Sequence, residues 1–253
     1  MMLIYLLVTT HISIVFFSIY AHRGLAHKSL NFHPVLSHVM RFWLWMMDGT
    51  IMKEWVAIHR SHHVAADRPS DPHSPFVIGT PMEKVKRTLS IVLKSIVFGY
   101  KDFATVRELE YYGKGVPNDN IERKLYTPHH QLGVFIMLLL NIWLFGWVGI
   151  FVWIIQISWV KFWTIAIITA AAHHFGYRDK KSKDNSRNLF PVGVIIAGEE
   201  LHNNHHMNPY SPDFSRRWFE FDIGWIYIKF FKFLGLATIR NNINSNSNTN
   251  NNE

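Results

Sequence analysis

The sequence predicts an all-α integral membrane protein: about three crossing helices plus an interfacial or re-entrant helix, with a helical cap on one side that carries a histidine-rich metal site. Three observations predict it. The chain of 253 residues holds 26 Lys and Arg, yet residues 1–21 and the run Leu125–Val160 contain none, the segregation that positive-inside sorting produces. Leu132–Ala172 carries Lys161 as its only charge and is about twice the ~20 residues that one crossing needs. Histidines gather where the apolar stretches end.

Taken in order, the first span covers approximately residues 2–21 and delivers the chain to His22-Arg23-Gly24-Leu25-Ala26-His27. A cleaved signal would carry positive charge ahead of its apolar core, and the first Arg, Arg23, follows that core. Residues 35–52 embed Arg41 and Asp48 among Phe42, Trp43 and Trp45, a mixture suited to the membrane interface rather than to a crossing. Pro69, Pro72, Pro75 and Gly79 mark a loop over Asp67–Pro81, and Met82–Tyr112 reads as one or two amphipathic surface helices. Two further spans, approximately 131–147 and 150–172, are joined by a tight turn near Gly146–Gly149. Trp218–Leu236 is aromatic and lies on the membrane or against the core, and residues 241–253 form an Asn/Ser-rich tail with little to bury. Residues 1–240 are expected to form one domain. This topology returns every histidine cluster to the basic, cytosolic face of the membrane.

His59-Arg60-Ser61-His62-His63 and Gly198-Glu199-Glu200-Leu201-His202-Asn203-Asn204-His205-His206 each place histidines at i, i+3 and i+4, within reach of a shared ion on one helix face. His22 and His27 stand at i, i+5 and diverge by about 140° on an ideal α-helix. They can converge only if the helix ends or unwinds, as Gly24 permits. With no cysteine in the chain, any metal is held by nitrogen or oxygen donors. Eight box histidines plus His173 exceed the four or so that one zinc takes and suffice for two ions. Imidazole suits iron, zinc, copper and nickel alike. A metal pair where lipid-embedded helices emerge can reach a hydrocarbon chain, and attack on unactivated C–H bonds is the chemistry of iron and oxygen. The net charge of +8, beside spanning segments, fits anionic lipid headgroups or phosphate-bearing substrates rather than nucleic acid.

HRGLAH, HRSHH and GEELHNNHH, with DPHSP at Asp71–Pro75, HFGYR at His174–Arg178 and the KEWVAIHR lead-in to the second box, closely resemble the membrane-bound acyl-CoA (delta-9 type) fatty acid desaturases, particularly the bacterial branch. The likeness runs from about Thr10 to Arg240. It implies two iron ions and O2 as co-substrate, acting to leave a cis double bond in a long-chain acyl thioester. It implies His22, His27, His59, His62, His63, His173, His202, His205 and His206 as ligands. The family's Asn four residues before the isolated histidine, which acts through a water, is Thr169 here, and its hydroxyl can still hold a water. Ligating imidazoles usually donate their second N–H to a carboxylate, and Asp67, Asp71, Glu199 and Glu200 stand nearest in sequence. Trp159 and Trp163 are candidates to line an acyl tunnel and, at helical spacing, equally to pack or anchor at the interface; Lys28, Arg60, Arg178 and Lys181 are candidates to hold coenzyme A phosphates, although positive-inside sorting explains most of those cations. No cytochrome, flavin or ferredoxin segment is recognisable, so a separate electron donor, of cytochrome b5 or ferredoxin/flavin reductase type, is expected.

Two other classes share these features. A histidine-box hydroxylase of alkanes, sterols or sphingolipids would use the same metals and insert OH. A membrane zinc hydrolase of the HExxH type needs a Glu between its histidines, which no box has, and a transporter would carry ionisable ligands in mid-membrane. Carboxylate-bridged di-iron bundles need two E-x-x-H motifs, and Glu199–His202 is isolated. Seven histidines outside the set, among them His73, His130 and His174, read as structural.

Overall fold

The computed structural model describes residues 1–72, 79–98 and 103–240. His73 and the Asn/Ser-rich tail lie outside these residues. Helices dominate: α1 (Met2–Phe16), α2 (Pro34–Met47), α3 (Met52–Ala65), α4 (Pro81–Phe98), α5 (Val106–Tyr112), α6 (His130–Phe145), α7 (Gly149–Lys161), α8 (His202–Met207) and α9 (Ile223–Phe233). Two short ribbons, which the sequence reading did not foresee, tie distant segments together. In one, β1 (Leu30–Phe32) pairs antiparallel with β4 (Ala237–Ile239), and in the other β2 (Val192–Gly193) runs parallel to β3 (Phe221–Asp222). Strands of two or three residues show no alternation to read; tertiary contact makes them.

Two helical stretches, Met2–Ala26 and His130–His173, are long and apolar enough to cross a membrane, consistent with an integral membrane protein. The second is folded back on itself. Gly146, at φ +61°, ends α6 in a backbone region open to glycine. A Cβ on Gly149 would stand 2.1 Å from the Asn141 carbonyl oxygen, so glycine alone allows the two limbs to meet. Asn141 Nδ2 donates to Gln156 Oε1 at 2.7 Å, and Gln156 Nε2 donates to Thr9 Oγ1 at 2.9 Å. This buried polar chain joins α6, α7 and α1. In apolar surroundings such bonds fix register, because slippage would leave amides unsatisfied.

Both apolar stretches turn π-helical at the ends that carry histidines. α1 continues as Phe17–Ala26 and α7 as Phe162–Ala170. Lys161, isolated in its span, neither reaches a headgroup nor faces open water. It is buried, and its Nζ donates to Asp48 Oδ1 at 2.5 Å and to the Asp48 carbonyl at 2.6 Å, while Thr50 bonds the other Asp48 oxygen. The pair fastens the turn between α2 and α3 to α7. Arg41 of α2 likewise pairs with Asp119 at 2.7 Å, so both charges in that aromatic segment are matched by protein. Arg23 makes a fully buried double contact with Asp222, at 2.9 and 3.1 Å, which locks the first box onto β3.

Candidate metal centre

The i→i+5 bond from His27 N to the His22 carbonyl, 3.1 Å, shows how the first box converges. A π-helix brings residues five apart into line, and the two rings stand 4.8 Å apart between centroids. The helix therefore widens rather than ending at Gly24. Gly24 contributes by closeness instead: a Cβ there would meet Phe32 Cε2 at 3.0 Å.

The other two boxes each divide between two sites, correcting the expectation of one shared ion per box. On α3, His59 and His63 turn one way and His62 the other; on α8, His205 faces away from His202 and His206. Positions i and i+4 overlie one another, whereas i+3 and i+4 diverge by about 100°, so one helix can feed two ions. The result is a group of five, His22, His27, His59, His63 and His205, and a group of four, His62, His173, His202 and His206. Within each, one nitrogen per ring lies within 4.8 Å of all the others.

Carboxylates set the ring orientations. Nδ1 of His22 donates to Glu199 at 2.7 Å, His62 to Asp71 at 2.8 Å, His173 to Asp67 at 3.0 Å and His206 to Asp184 at 2.8 Å. Each bond leaves the Nε2 lone pair pointing inward, the tautomer a ligand needs. Three of the four acids named from sequence stand there. Glu200 does not: it accepts backbone N–H bonds from Ile196 and Gly198. Asp184 takes the fourth place, and its only sequence signal is a lone acid among Lys180, Lys181, Lys183 and Arg187.

Inward nitrogens stand as close as donors gathered around one cation would. Nε2–Nε2 separations are 2.8 Å for His27–His59, 3.0 Å for His22–His205 and His63–His205, and 3.1 Å for His59–His63 and His173–His202. At a metal–nitrogen distance of about 2.1 Å, neighbours at right angles are about 3.0 Å apart and tetrahedral neighbours about 3.4 Å. The observed spacing is compatible with nitrogen ligation of one ion by each group. His206 Nε2 and His205 Nδ1 are buried without a hydrogen-bond partner among the described residues. Burial pushes the pKa values of His27, His63, His202 and His205 well below the usual range and that of His206 down to about 4, so these imidazoles are neutral and ready to ligate. The two clusters are thus compatible with a pair of metal ions.

A narrow cavity of about 30 Å³, which Glu199 also lines, lies against both groups. Phe17, Trp55, Thr164, Ile168 and Thr169 face His22, His59, His62 and His202 across it. Thr169 Oγ1 donates to the Thr164 carbonyl at 2.9 Å, leaving its lone pairs available to a water. Trp159 and Trp163 do not line this cavity; they pack edge-on at 5.6 Å. Trp55, in the KEWVAIHR segment, lines it instead and stacks on His59 at 4.9 Å. Lys28 and Arg60 line a separate open cleft, which Arg178 and Lys181 do not reach.

A fatty acid desaturase family model matches residues 1–227, and the chain belongs to that family. It is 29% identical over 228 residues to the sn-1 stearoyl-lipid 9-desaturase of Synechocystis sp., covering 85% of this chain and 64% of that protein. The chain thus spans just under two thirds of that relative. The protein of the same name from Anabaena variabilis is 30% identical over 225 residues, 86% of this chain and 75% of that protein. A hex-5-enoyl acyl-carrier-protein acetylenase of Moorena producens is 28% identical over 237 residues, with 89% and 72% covered.

Proposed function

We propose that the protein is an O2-dependent desaturase that removes two hydrogens from a long-chain saturated acyl group and leaves a cis double bond at the ninth carbon. The observation that carries the reading is two groups of inward lone pairs, held by four carboxylates, at the end of an apolar slot between lipid-embedded helices. His22, His27, His59, His63 and His205 would hold one iron. His62, His173, His202 and His206 would hold the other, with Thr169 positioning a water. When bound, the iron pair supplies activation of O2 and abstraction of hydrogen from an unactivated C–H bond.

The chain's own residues bind, orient and exclude. Glu199, Asp71, Asp67 and Asp184 fix ring tautomers and raise ligand basicity. Phe17, Trp55 and Ile168 wall the acyl chain from water, and it enters by displacing side chains from a slot that is narrow as it stands. No protein acid or base is required. α1 and both limbs of the α6–α7 hairpin are read as three crossings, with the centre on the cytosolic side where the basic residues collect.

Both cyanobacterial 9-desaturases support the ninth carbon, and their names give a lipid-linked substrate. A coenzyme A thioester is the carrier that the resemblance to the acyl-CoA desaturases implies, and the Moorena relative adds acyl carrier protein. Expression in a desaturase-deficient host, with fatty acid analysis, tests the reaction: a 9-monoene is expected, and an alcohol would replace this reading by hydroxylation. Purified protein offered stearoyl-CoA, stearoyl acyl carrier protein and stearoyl lipid in turn identifies the carrier.

A further inference from the structure

A second, wider cleft of about 640 Å³ meets the centre at other histidines than the slot does. Its walls carry Lys28, Arg60, Lys114 and Arg240, and its lining includes His27 and His63. Among the described residues that line it there is no carboxylate, and none of these four cations forms an ion pair there. Arg60 is held rigidly, donating to the carbonyls of Leu25 at 2.6 Å, Ala26 at 2.8 Å, Tyr112 at 2.5 Å and Lys114 at 2.8 Å. Those bonds fix the guanidinium and leave its charge uncompensated.

We infer that this cleft is the docking site of a small acidic one-electron carrier protein, whose electrons enter the centre through His63 and His27. The inference rests on the desaturase reading, because that reaction needs an outside reductant. In R–CH2–CH2–R′ + O2 + 2 e⁻ + 2 H⁺ → R–CH=CH–R′ + 2 H2O, the acyl chain gives two electrons with its two hydrogens, and the carrier gives two more, one at a time. Geometry separates the two suppliers. No residue lines both the slot and the cleft, so donor and acyl chain do not compete. His63 is the one member of the five-histidine group that is not fully buried, so a carrier seated here is one imidazole from the metal position. A fixed positive concavity with tyrosines at its rim, Tyr111, Tyr112 and Tyr210, suits steered association with an acidic surface. A lipid phosphate fits less well, since the cleft shares no lining residue with the slot its acyl chain would have to enter.

The test is the double variant Lys114→Glu/Arg240→Glu, with a reduced 2Fe–2S ferredoxin as probe and the purified full chain in detergent. For the wild type, ferredoxin binding should weaken as salt rises. For the variant, Kd and the KM for ferredoxin should increase about tenfold or more with the salt dependence largely gone. Turnover driven by a small-molecule reductant, the KM for the acyl substrate and the thermal midpoint should not change. Unchanged ferredoxin binding overturns the inference, and so does a raised KM for the acyl substrate alone, which would assign the cleft to a headgroup. Salt-dependent binding without any unsaturated product would leave the docking site standing and remove the desaturase reading. Product formation with variant-insensitive ferredoxin binding would do the reverse.

Discussion

His206 Nδ1 donates to Asp184 Oδ2 at 2.8 Å, and the other Asp184 oxygen accepts from Ser186 N at 3.0 Å and Ser186 Oγ at 2.5 Å. The loop after the last span is thereby folded around one ligand ring. Asp184→Asn should lower iron affinity about 10–100-fold, the usual effect of removing such a partner, and Asp184→Glu should recover part of it. Chelator competition on the purified protein measures this. Equal affinity in wild type and Asp184→Asn would show that His206 is oriented by packing alone.

The split of each box between two groups makes ligand substitutions distinguishable. His205→Ala removes one donor from the group of five, and His62→Ala removes one from the group of four. Each should abolish unsaturated product while lowering iron content mainly at its own site. His130→Ala should retain most activity, because His130 Nδ1 sits on the Gly49 carbonyl at 3.2 Å, away from both groups. Full activity in either ligand variant would break the assignment.

Lys161 and Asp48 are each 3% exposed, and their contact bridges two segments distant in sequence. Breaking a buried pair strands a charge at a cost of about 3–5 kcal/mol, whereas replacing both members by apolar residues is often near neutral. Lys161→Met should therefore lower the thermal midpoint in detergent strongly, and Lys161→Met/Asp48→Leu should regain most of the loss. A double variant no better than the single one would mean that the pair acts through the Asp48 backbone contact and Thr50 instead.

The helical hairpin and the metal boxes were legible because their signals are local: an uncharged run interrupted at Gly146 and Gly149, and histidines at helical spacing. What sequence did not disclose depends on the third dimension. The first box needed a π-helix, and its 140° divergence flagged that need without naming the remedy. Asp184 replaces Glu200 because the Glu200 carboxylate turns to the backbone N–H groups of Ile196 and Gly198, and proximity in sequence misled. Lys161 looked anomalous until Asp48, more than a hundred residues earlier, came to meet it. Trp159 and Trp163 pack on each other, as their helical spacing equally allows, and Trp55 is the tryptophan beside the histidines.

Acid should weaken the metal-free protein, and the sign follows from opposing groups at the centre. His27, His63, His202, His205 and His206 have folded pKa values below the ordinary histidine value, chiefly through burial, so between those values the unfolded chain binds more protons. Their stabilisation is complete above pH ~6.5 and is lost as pH falls toward the folded values, at up to about 1.4 kcal/mol per unit for each group. Two groups act oppositely. Burial works to lower the His62 pKa, but the Asp71 carboxylate outweighs it and leaves it raised; burial lifts Glu200 to about 7. Their contribution is present at low pH and lost as pH rises through the folded pKa. Burial also raises Glu122 and Asp222, yet the five lowered histidines still outnumber the raised groups, so the thermal midpoint of iron-stripped protein should fall by about 2–4 °C or more per pH unit between 6.5 and 5. Bound iron holds the imidazoles deprotonated, so the loaded protein should show a flatter profile until acid displaces the metal. A midpoint that rises on acidification in stripped protein would mean that the histidines are not packed together in the neutral form.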